Sequence, residues 1–202
     1  MTIGIYGGTF DPPHIGHIQA CKNFLNSFMV DKMYIIPTSI PPHKIRNSIV
    51  DGATRFEMCK IAFENIASNI EISDVELNRQ GKSYTADTIK HFRELGNDII
   101  YFLCGTDMFL TLDKWYKPEY ILSNAIIVCM RRESDAQNTL VIREKELEYI
   151  KKFNAKIYFL NDDAIELSSS EIRDNIEDES VKELLSPDVL AFIRANGLYG
   201  KE

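Results

Sequence analysis

An α/β fold is predicted by three features of this sequence: short apolar runs, segments of helical periodicity between them, and a length that suits one hydrophobic core. The runs are nearly continuous in branched and aromatic residues, which is typical of strands covered on both faces of a sheet. Strands that alternate with helices favour a parallel sheet joined by right-handed crossovers. We therefore predict a Rossmann-like, doubly wound, mostly parallel sheet with a small helical C-terminal part, in a single domain over residues 1–202.

The predicted elements follow one another along the chain without an internal repeat or a long linker. The predicted strands are 2–6, 33–37, 98–104, 125–130 and 156–160. The first predicted helix, 15–28, carries an apolar stripe that runs from Ile15 to Phe28. Similar patterns predict helices at 53–67, 86–95, 143–152, 170–177 and 187–195. The residues 68–84 show no pattern that assigns an element.

Composition and charge exclude several classes of protein. The 202 residues carry a formal net charge of −7, which gives no general attraction to nucleic acid or to an anionic membrane. An anionic ligand must therefore be held by locally gathered cations. No stretch approaches the ~18 apolar residues of a membrane-spanning helix, and the start lacks the pattern of a secretory signal, so we predict a cytoplasmic protein.

The cysteines are predicted to be reduced thiols in the core. They lie in apolar contexts such as YFLCG and IIVCM and have no C-x-x-C spacing, which argues against a zinc site or a disulfide frame. The four are Cys21, Cys59, Cys104 and Cys129.

The stretch YGGTFDPPHIGH, residues 6–17, is the strongest candidate for a functional motif, and we call it the opening motif. Gly7 and Gly8 follow the first predicted strand, where the absence of a Cβ lets backbone N–H groups approach an anion. His14 and His17 are three residues apart at the start of a helix, so both rings lie on one side near its positive end. This geometry suits a phosphate chain. The simpler interpretation is a turn rich in glycine and proline with two surface histidines.

The same stretch resembles the signature of the nucleotidyltransferase superfamily whose hallmark is T/H-x-G-H. A second stretch, LSSSEIR at 167–173, resembles the other ATP-binding motif of that superfamily. In length and in the order of its motifs, nearly the whole chain is similar to the bacterial nicotinate mononucleotide adenylyltransferases. The first motif is highly specific for the superfamily and less specific for the substrate.

The resemblance implies a reaction and a set of site residues. ATP and nicotinate mononucleotide would give deamido-NAD and pyrophosphate, a step of NAD biosynthesis, with Mg²⁺ held mainly by the substrate phosphates and no metal ligands from the protein. The implied catalytic residues are His14, His17 and Arg173. The ATP contacts implied in addition are Gly8, Thr9, Phe10, Gly105, Asp107, Ser169 and Ser170.

Four of these residues, two serines among them, also have an interpretation from the sequence alone. Ser168 and Glu171 form the S-x-x-E pattern of a capping box, so the serines could simply begin a helix. Arg173 is predicted in the first turn of that helix, where a cation is unfavourable unless an anion is bound nearby. A surface arginine without a role is the alternative. Asp107 could accept hydrogen bonds from a ribose, or cap the helix that follows.

The acceptor side of the predicted site depends more on the resemblance. Thr85 is predicted to cap a helix over 86–95, and the family uses its backbone to hold the acid group of the pyridine. Trp115, the only tryptophan, matches the family's pyridine-stacking position, although a lone tryptophan more often belongs to the core. The other residues assigned to the mononucleotide are Tyr84, His43, Lys44 and Arg46. Arg131 and Arg132 could also reach ATP, and the sequence gives no means to choose between them.

Two other functions stay open at this stage. Phosphopantetheine adenylyltransferases and glycerol-phosphate cytidylyltransferases share the histidine motif, but they are typically shorter and lack SYTADT combined with a loop tryptophan. A nucleotide sensor that binds ATP without turnover would have no need of transition-state groups. The predicted partners are the two small-molecule substrates, with no nucleic acid and no membrane. The sequence does not fix the oligomeric state, and a homo-oligomer is one of the options.

Overall fold

The computed structural model of this protein describes residues 1–39, 50–132, 139–165 and 167–200, without the side chains of 132 and 161–164. Six strands form one sheet in the order β3-β2-β1-β4-β5-β6, and every neighbouring pair is parallel. The strands are β1 Thr2–Gly8, β2 Lys32–Pro37, β3 Ile70–Ile72, β4 Ile99–Gly105, β5 Ile126–Arg132 and β6 Lys156–Ala164. The predicted Rossmann-like, doubly wound α/β fold is confirmed.

Helices connect the strands and cover both faces of the sheet. They are α1 Ile15–Ser27, α2 Gly52–Phe63, α3 Thr85–Glu94, α4 Thr106–Phe109, α5 Pro118–Asn124, α6 Thr139–Phe153, α7 Ser169–Asp174 and α8 Pro187–Ala195. Short 3-10 turns occupy Leu112–Lys114 and Glu179–Glu183. The predicted small helical C-terminal part corresponds to α7, α8 and the turn between them. Among the described residues, no helix is long and apolar enough to cross a membrane.

Three short elements escaped prediction. The edge strand β3 has only three residues, and its two isoleucines alternate with a glutamate instead of forming an apolar run. Helices α4 and α5 have four and seven residues, which is too short for a clear helical periodicity. For α5 the sequence did hold one signal, because Pro118 stands at its first turn, where proline is favoured.

The sheet divides the hydrophobic core into two clusters, one on each face. The first core contains Phe24 of α1 and packs α1, α2, α7 and α8 against the sheet. The second core contains Phe92 of α3 and packs α3, α5 and α6 against the opposite face. Alternating residues of β4 contribute to the two cores: Leu103 lies in the first, and Phe102 in the second.

The cysteines are distributed between the two cores as buried free thiols. Cys21 and Cys59 belong to the first core, and Cys104 and Cys129 to the second. Burial raises the pKa of Cys21 to about 12, so this thiol stays protonated and unreactive. The predicted reduced core thiols are confirmed.

Candidate active site

A cavity of about 880 Å³ opens at the carboxyl ends of β1 and β4. These two strands are neighbours at the centre of the sheet, and the connections run outward from them in opposite directions. Such a switch point leaves a crevice between loops that diverge to the two sides, and ligands of open α/β sheets bind there. The fold therefore determines where the predicted motifs meet.

The glycine loop after β1 lines this cavity, and its two glycines have different reasons to be glycine. A Cβ on Gly7 would lie 4.0 Å from the nearest atom, the carbonyl oxygen of Ile36, so the space beside it is open. A Cβ on Gly8 would lie 2.9 Å from the ring of Phe10, which is buried in the first core. The space beside Gly7 is thus open to the anion that we expected there, whereas Gly8 is required by the packing of its own loop.

The two histidines begin α1 and stack on each other. His14 is the N-cap, and its ring centroid lies 3.7 Å from that of His17. The backbone N–H of His14 donates to Nδ1 of His17 over 3.2 Å. Because Nδ1 accepts, the proton of a neutral His17 is assigned to Nε2, which makes that nitrogen a donor. Both residues line the cavity, so the helix start brings two imidazole rings beside the glycine loop, with Nε2 of His17 as a donor.

The serines of the second motif begin α7, as the S-x-x-E pattern predicts. Ser168 is the N-cap, and its side chain accepts from the N–H of Ser170. The hydroxyl of Ser169 donates to the carbonyl of Pro12 over 3.1 Å, which joins α7 to the glycine loop. The two motifs, far apart in sequence, therefore form one wall of the cavity.

The prediction that Arg173 lies in the first turn of its helix is wrong. Helix α7 begins at Ser169 and ends at Asp174, so Arg173 lies in its last turn. There a cation is favourable to the helix dipole and needs no bound anion to explain it. Arg173 faces the cavity because it contacts Asp11 of the opening motif. Nη1 donates to the carbonyl of Asp11 at 2.5 Å, and Nη2 donates to the hydroxyl of Ser170 at 3.2 Å.

Gly105 and Asp107 lie where β4 ends and α4 begins, and both line the cavity. Gly105 is itself the N-cap of α4, so the alternative interpretation of Asp107 as a helix cap is wrong. Asp107 lies within the first turn with an exposed carboxylate. This leaves its oxygens accessible to a hydroxylated ligand at the central strands.

Trp115 and the start of α3 form the other side of the cavity. Trp115 is half-buried and follows the 3-10 turn Leu112–Lys114. Beside it, the rings of Tyr84 and Tyr116 lie 4.4 Å apart. The predicted cap at Thr85 is wrong by one residue: Tyr84 is the N-cap of α3, Thr85 is its first helical residue, and no cap side chain bonds to the helix amides. Thr85 is not the cap because the helix begins one residue earlier than predicted, at Thr85 itself.

The turn that carries Trp115 is held from beneath by α6. The hydroxyl of Tyr149, which is fully buried, lies 3.0 Å from the carbonyl of Phe109 and 3.1 Å from Oδ1 of Asp113. Lys145 donates to the other carboxylate oxygen of Asp113 at 2.9 Å. Although burial opposes it, the hydrogen bonds from Lys145 and Tyr149 lower the pKa of Asp113, so the carboxylate stays ionised at neutral pH.

The cavity brings together most of the residues that the sequence predicted. Those lining it are Gly8, Thr9, Phe10, His14, His17, Tyr84, Thr85, Gly105, Asp107, Trp115, Ser169, Ser170 and Arg173. His43, Lys44 and Arg46 lie outside the described residues, and so does the side chain of Arg132. Arg131 does not line the cavity and donates instead to the hydroxyl of Thr139.

Sequence reasoning missed four residues that support the cavity. Asp11 and Tyr199 pair through a 2.7 Å hydrogen bond. Arg55, only 1% exposed, donates to the carbonyl of Thr9 and so holds the glycine loop. Glu76 is 5% exposed, lines the cavity and accepts from Thr88; burial raises the pKa of this carboxyl. The only available signal was that Asp11 lies inside the quoted motif, since the other three stand in ordinary helix, loop or terminal sequence.

Among the residues that the structure describes, no three His, Cys, Asp or Glu side chains lie close enough together to hold a metal ion. A hard cation such as Mg²⁺ keeps several waters and prefers oxygen ligands, so phosphates of a bound nucleotide are a sufficient source. The residues present are thus compatible with a metal ion that arrives with its nucleotide.

One family model matches most of the chain, and two relatives match nearly its full length. The family model described as "Cytidylyltransferase-like" matches residues 5–175. A Clostridium tetani protein named "Probable nicotinate-nucleotide adenylyltransferase" is 37% identical over 197 residues, covering 96% of this chain and 97% of the relative. A Clostridium novyi protein of the same name is 36% identical over 198 residues, covering 97% and 98%.

Solved structures match in fold. Nicotinic acid mononucleotide adenylyltransferase of Plasmodium falciparum, complexed with NaAD, has a TM-score of 0.79 at 24% identity, covering 98% of this chain and 97% of that one. The same enzyme complexed with APC has a TM-score of 0.78 at 24% identity, covering 98% and 96%. At this identity the likeness supports the architecture of the sheet and helices.

Proposed function

The chain belongs to the cytidylyltransferase-like family and, within it, to the nicotinate-nucleotide adenylyltransferases, and from that premise we propose how its cavity performs the reaction. ATP and nicotinate mononucleotide are joined to nicotinate adenine dinucleotide, with release of pyrophosphate, in NAD biosynthesis. A phosphate oxygen of the mononucleotide attacks the α-phosphorus of ATP, and the bond from that phosphorus to the bridging oxygen of the β-phosphate breaks.

This reaction needs no general base and no covalent nucleophile, because the attacking phosphate is already an anion. Catalysis then consists of positioning and of stabilising the charge that develops on the leaving pyrophosphate. His14 and His17 suit this role, since they lie at a helix start beside the glycine loop and His17 presents Nε2 as a donor. The backbone of Gly8, Thr9 and Phe10 would add contacts to the phosphates.

The remaining ATP contacts are assigned to the central strand end and to α7. Ser169, Ser170 and Arg173 would bind phosphate oxygens, while Gly105 and Asp107 would meet the nucleoside. Arg173 brings a guanidinium with five N–H donors to a chain whose formal net charge is −7. Mg²⁺, held chiefly by the phosphates and water, would neutralise part of the triphosphate charge.

The acceptor would lie between Trp115 and the start of α3. The indole face offers a stacking platform for the pyridine, and Tyr84 stands at the mouth of the same space. At the start of α3, the first intrahelical bonds run from the N–H groups of Asp87 and Thr88 to the carbonyl of Tyr84. The preceding amides, those of Thr85 and Ala86, point along the positive end of the helix dipole and suit a carboxylate.

One observation carries the proposal: His17 and Arg173, from opposite ends of the chain, line one cavity with Trp115. The test is release of pyrophosphate from ATP, Mg²⁺ and nicotinate mononucleotide, together with mass detection of the dinucleotide. Phosphopantetheine with ATP and glycerol phosphate with CTP serve as the competing acceptor pairs. Binding of ATP without pyrophosphate release from any pair would instead identify a nucleotide sensor.

A further inference from the structure

The chain turns back on itself after α8 and brings Tyr199 to the opening motif. Asn196 ends the helix, and the N–H of Leu198 donates to the carbonyl of Ile193 at 3.0 Å. Tyr199 has a φ of 64°, in the left-handed region that residues other than glycine rarely adopt. Such a conformation persists only where the surrounding contacts impose it. The position of this tyrosine is therefore fixed by its contacts.

The principal polar contact of Tyr199 is with the carboxylate of Asp11. The hydroxyl donates to Oδ1 over 2.7 Å, and Asp11 is only 2% exposed. Burial, followed by the charge of Asp11, raises the pKa of the phenol far above its ordinary value. Tyr199 therefore remains a neutral donor at every pH at which the enzyme would work, and it satisfies a buried carboxylate oxygen without adding charge.

The other oxygen of Asp11 faces Arg173 at a long distance. Oδ2 lies 3.5 Å from Nη1, whereas the N–O distances of a bidentate pair are about 2.7–2.9 Å. The same Nη1 donates to the backbone carbonyl of Asp11, and Nη2 reaches Ser170. The arginine fork is thus turned toward Ser170 and the cavity and is not laid flat against the carboxylate.

We propose that Tyr199 is a positioning residue for the binding of ATP. Its hydroxyl holds one oxygen of the Asp11 carboxylate and thereby keeps Arg173 from forming a bidentate pair with that carboxylate. Without the hydroxyl, Oδ1 loses one donor in a buried place, where losing a hydrogen bond to a charged group is costly. The strongest donor within reach is the guanidinium of Arg173, which would rotate to take both oxygens. Its N–H groups would then leave the direction of Ser170 and of the bound phosphates.

The charges around this contact fit such a role. Burial lowers the pKa of Arg55, and the nearby charge of Asp11 opposes this effect. The guanidinium of Arg55 donates to backbone carbonyls of the loops, including that of Thr9. One carboxylate thus lies among two guanidinium groups, which leaves one excess positive charge beside the phosphate motif. A neutral tyrosine as the third partner preserves that excess, whereas a cationic or anionic partner would change it.

This inference rests on the proposed function, because it assumes that Arg173 binds ATP phosphates. The experiment measures the Kd of an ATP analogue with a methylene between its α- and β-phosphorus atoms, in the presence of Mg²⁺, by calorimetry. Tyr199→Phe removes one hydroxyl and keeps the ring. Tyr34→Phe is the matched control, because Tyr34 is half-buried on β2 and does not line the cavity. We expect Tyr199→Phe to raise the Kd about fivefold or more and Tyr34→Phe to leave it within about twofold of wild type.

A double-mutant cycle separates positioning from a loss of structure. In an Arg173→Ala background, Tyr199→Phe should change the Kd by less than about twofold, because the residue through which it acts is gone. An unchanged Kd in the single Tyr199→Phe variant, or an equal rise with and without Arg173, would overturn the inference. A failure of the proposed function looks different, since wild type would then bind the analogue weakly or release no pyrophosphate from the true substrates.

Discussion

The side of the cavity that we propose for the phosphates (the phosphate side) and the side that we propose for the mononucleotide (the acceptor side) are built by different interactions. The phosphate side joins residues remote in sequence through charge: Arg173 contacts Asp11 across 162 positions, and Tyr199 contacts the same residue across 188. The acceptor side depends on rings and on neighbouring segments. Trp115 donates to Thr111, four residues away, and Tyr84 lies against Tyr116. One side is a network of polar contacts between residues far apart in sequence, and the other is a set of aromatic surfaces on a short turn and at the start of α3.

This difference predicts which kinetic constant each side controls. Groups that meet charge as it develops lower the barrier of the chemical step, so their loss should reduce kcat. Surfaces that stack on a substrate bind it equally before and during reaction, so their loss should raise KM. Mutations on the phosphate side should therefore change mainly kcat, and mutations on the acceptor side mainly KM. The experiments that test this difference follow from the largest expected effect to the smallest.

The largest effect is expected from His17→Ala on the phosphate side. Removal of a donor to the leaving phosphates should lower kcat by ~10²–10⁴, and loss of the hydrogen bond from the N–H of His14 should lower the melting temperature by only about 2–4 °C. Steady-state kinetics with both substrates saturating would measure it. His91→Ala is the matched control, because His91 lies in the last turn of α3 and does not line the cavity. A folded His17→Ala protein with nearly wild-type kcat would remove this residue from the catalytic assignment.

Trp115→Ala should act on the acceptor alone. Loss of base stacking costs ~1–3 kcal/mol, which corresponds to a rise of about 5- to 150-fold in the KM for nicotinate mononucleotide. The KM for ATP should stay near its wild-type value. Trp115→Phe keeps part of the stacking surface and should lie between. An equal rise in both KM values would instead make the tryptophan a structural residue.

Acceptor choice tests the helix start of the same side. A carboxylate only accepts hydrogen bonds and suits the amides of Thr85 and Ala86, whereas a carboxamide turns one NH2 toward them or leaves a donor unpaired. An unpaired buried donor costs ~1–3 kcal/mol, so we expect kcat/KM to favour the acid mononucleotide over the amide by at least ~10-fold. Parallel kinetics with both mononucleotides at saturating ATP would measure the ratio, and equal efficiency would contradict it.

A single substitution can remove one of these donors without rebuilding the helix. Thr85 is the first helical residue, where proline is tolerated, and Tyr84 before it is extended (φ −98°, ψ 126°), as a residue preceding proline should be. Thr85→Pro should therefore keep α3 and reduce the preference for the acid. An unchanged ratio in the folded variant would mean that this amide does not read the acid group.

The smallest effect is expected from Tyr149→Phe, which loosens the turn that carries Trp115. Its hydroxyl bonds to Phe109 and Asp113, so its loss should lower the free energy of unfolding by ~1 kcal/mol. We expect the KM for the mononucleotide to rise about two- to fivefold, because a mobile turn presents the indole less often. Chemical denaturation and acceptor kinetics would measure both. A stability loss with no change in that KM would show that the turn keeps its shape without α6.

The sequence predicted the sheet because its strands are continuous apolar runs, and it missed β3 because Ile70–Ile72 is short and interrupted by a glutamate. Most of the site residues that it predicted line the cavity, since the motifs follow strand ends and those ends meet at the switch point. What it predicted less well was local position. Arg173 fell in the last turn of α7, and the cap of α3 fell on Tyr84, because helix boundaries are determined by tertiary contacts as well as by capping residues.

Tyr199 and Arg55 were out of reach of sequence reasoning for a different reason. Neither stands in a motif, and each contributes only through a partner brought near by folding: Asp11 for the tyrosine and the carbonyl of Thr9 for the arginine. Periodicity and spacing describe neighbours along a strand or helix. They carry no information on a hydrogen bond between residues 11 and 199.

The division of the core by the sheet has a consequence for how such an enzyme can diverge. Phe10 and Ile172, beside the phosphate motifs, belong to the first core, whereas Ala86 and Phe109, beneath the acceptor surfaces, belong to the second. Packing changes on one face reach the other only through a stiff hydrogen-bonded sheet. We therefore expect substitutions around α3, α5 and α6 to reshape the surface proposed for the acceptor, while the motifs at the starts of α1 and α7, on the opposite face, keep their packing.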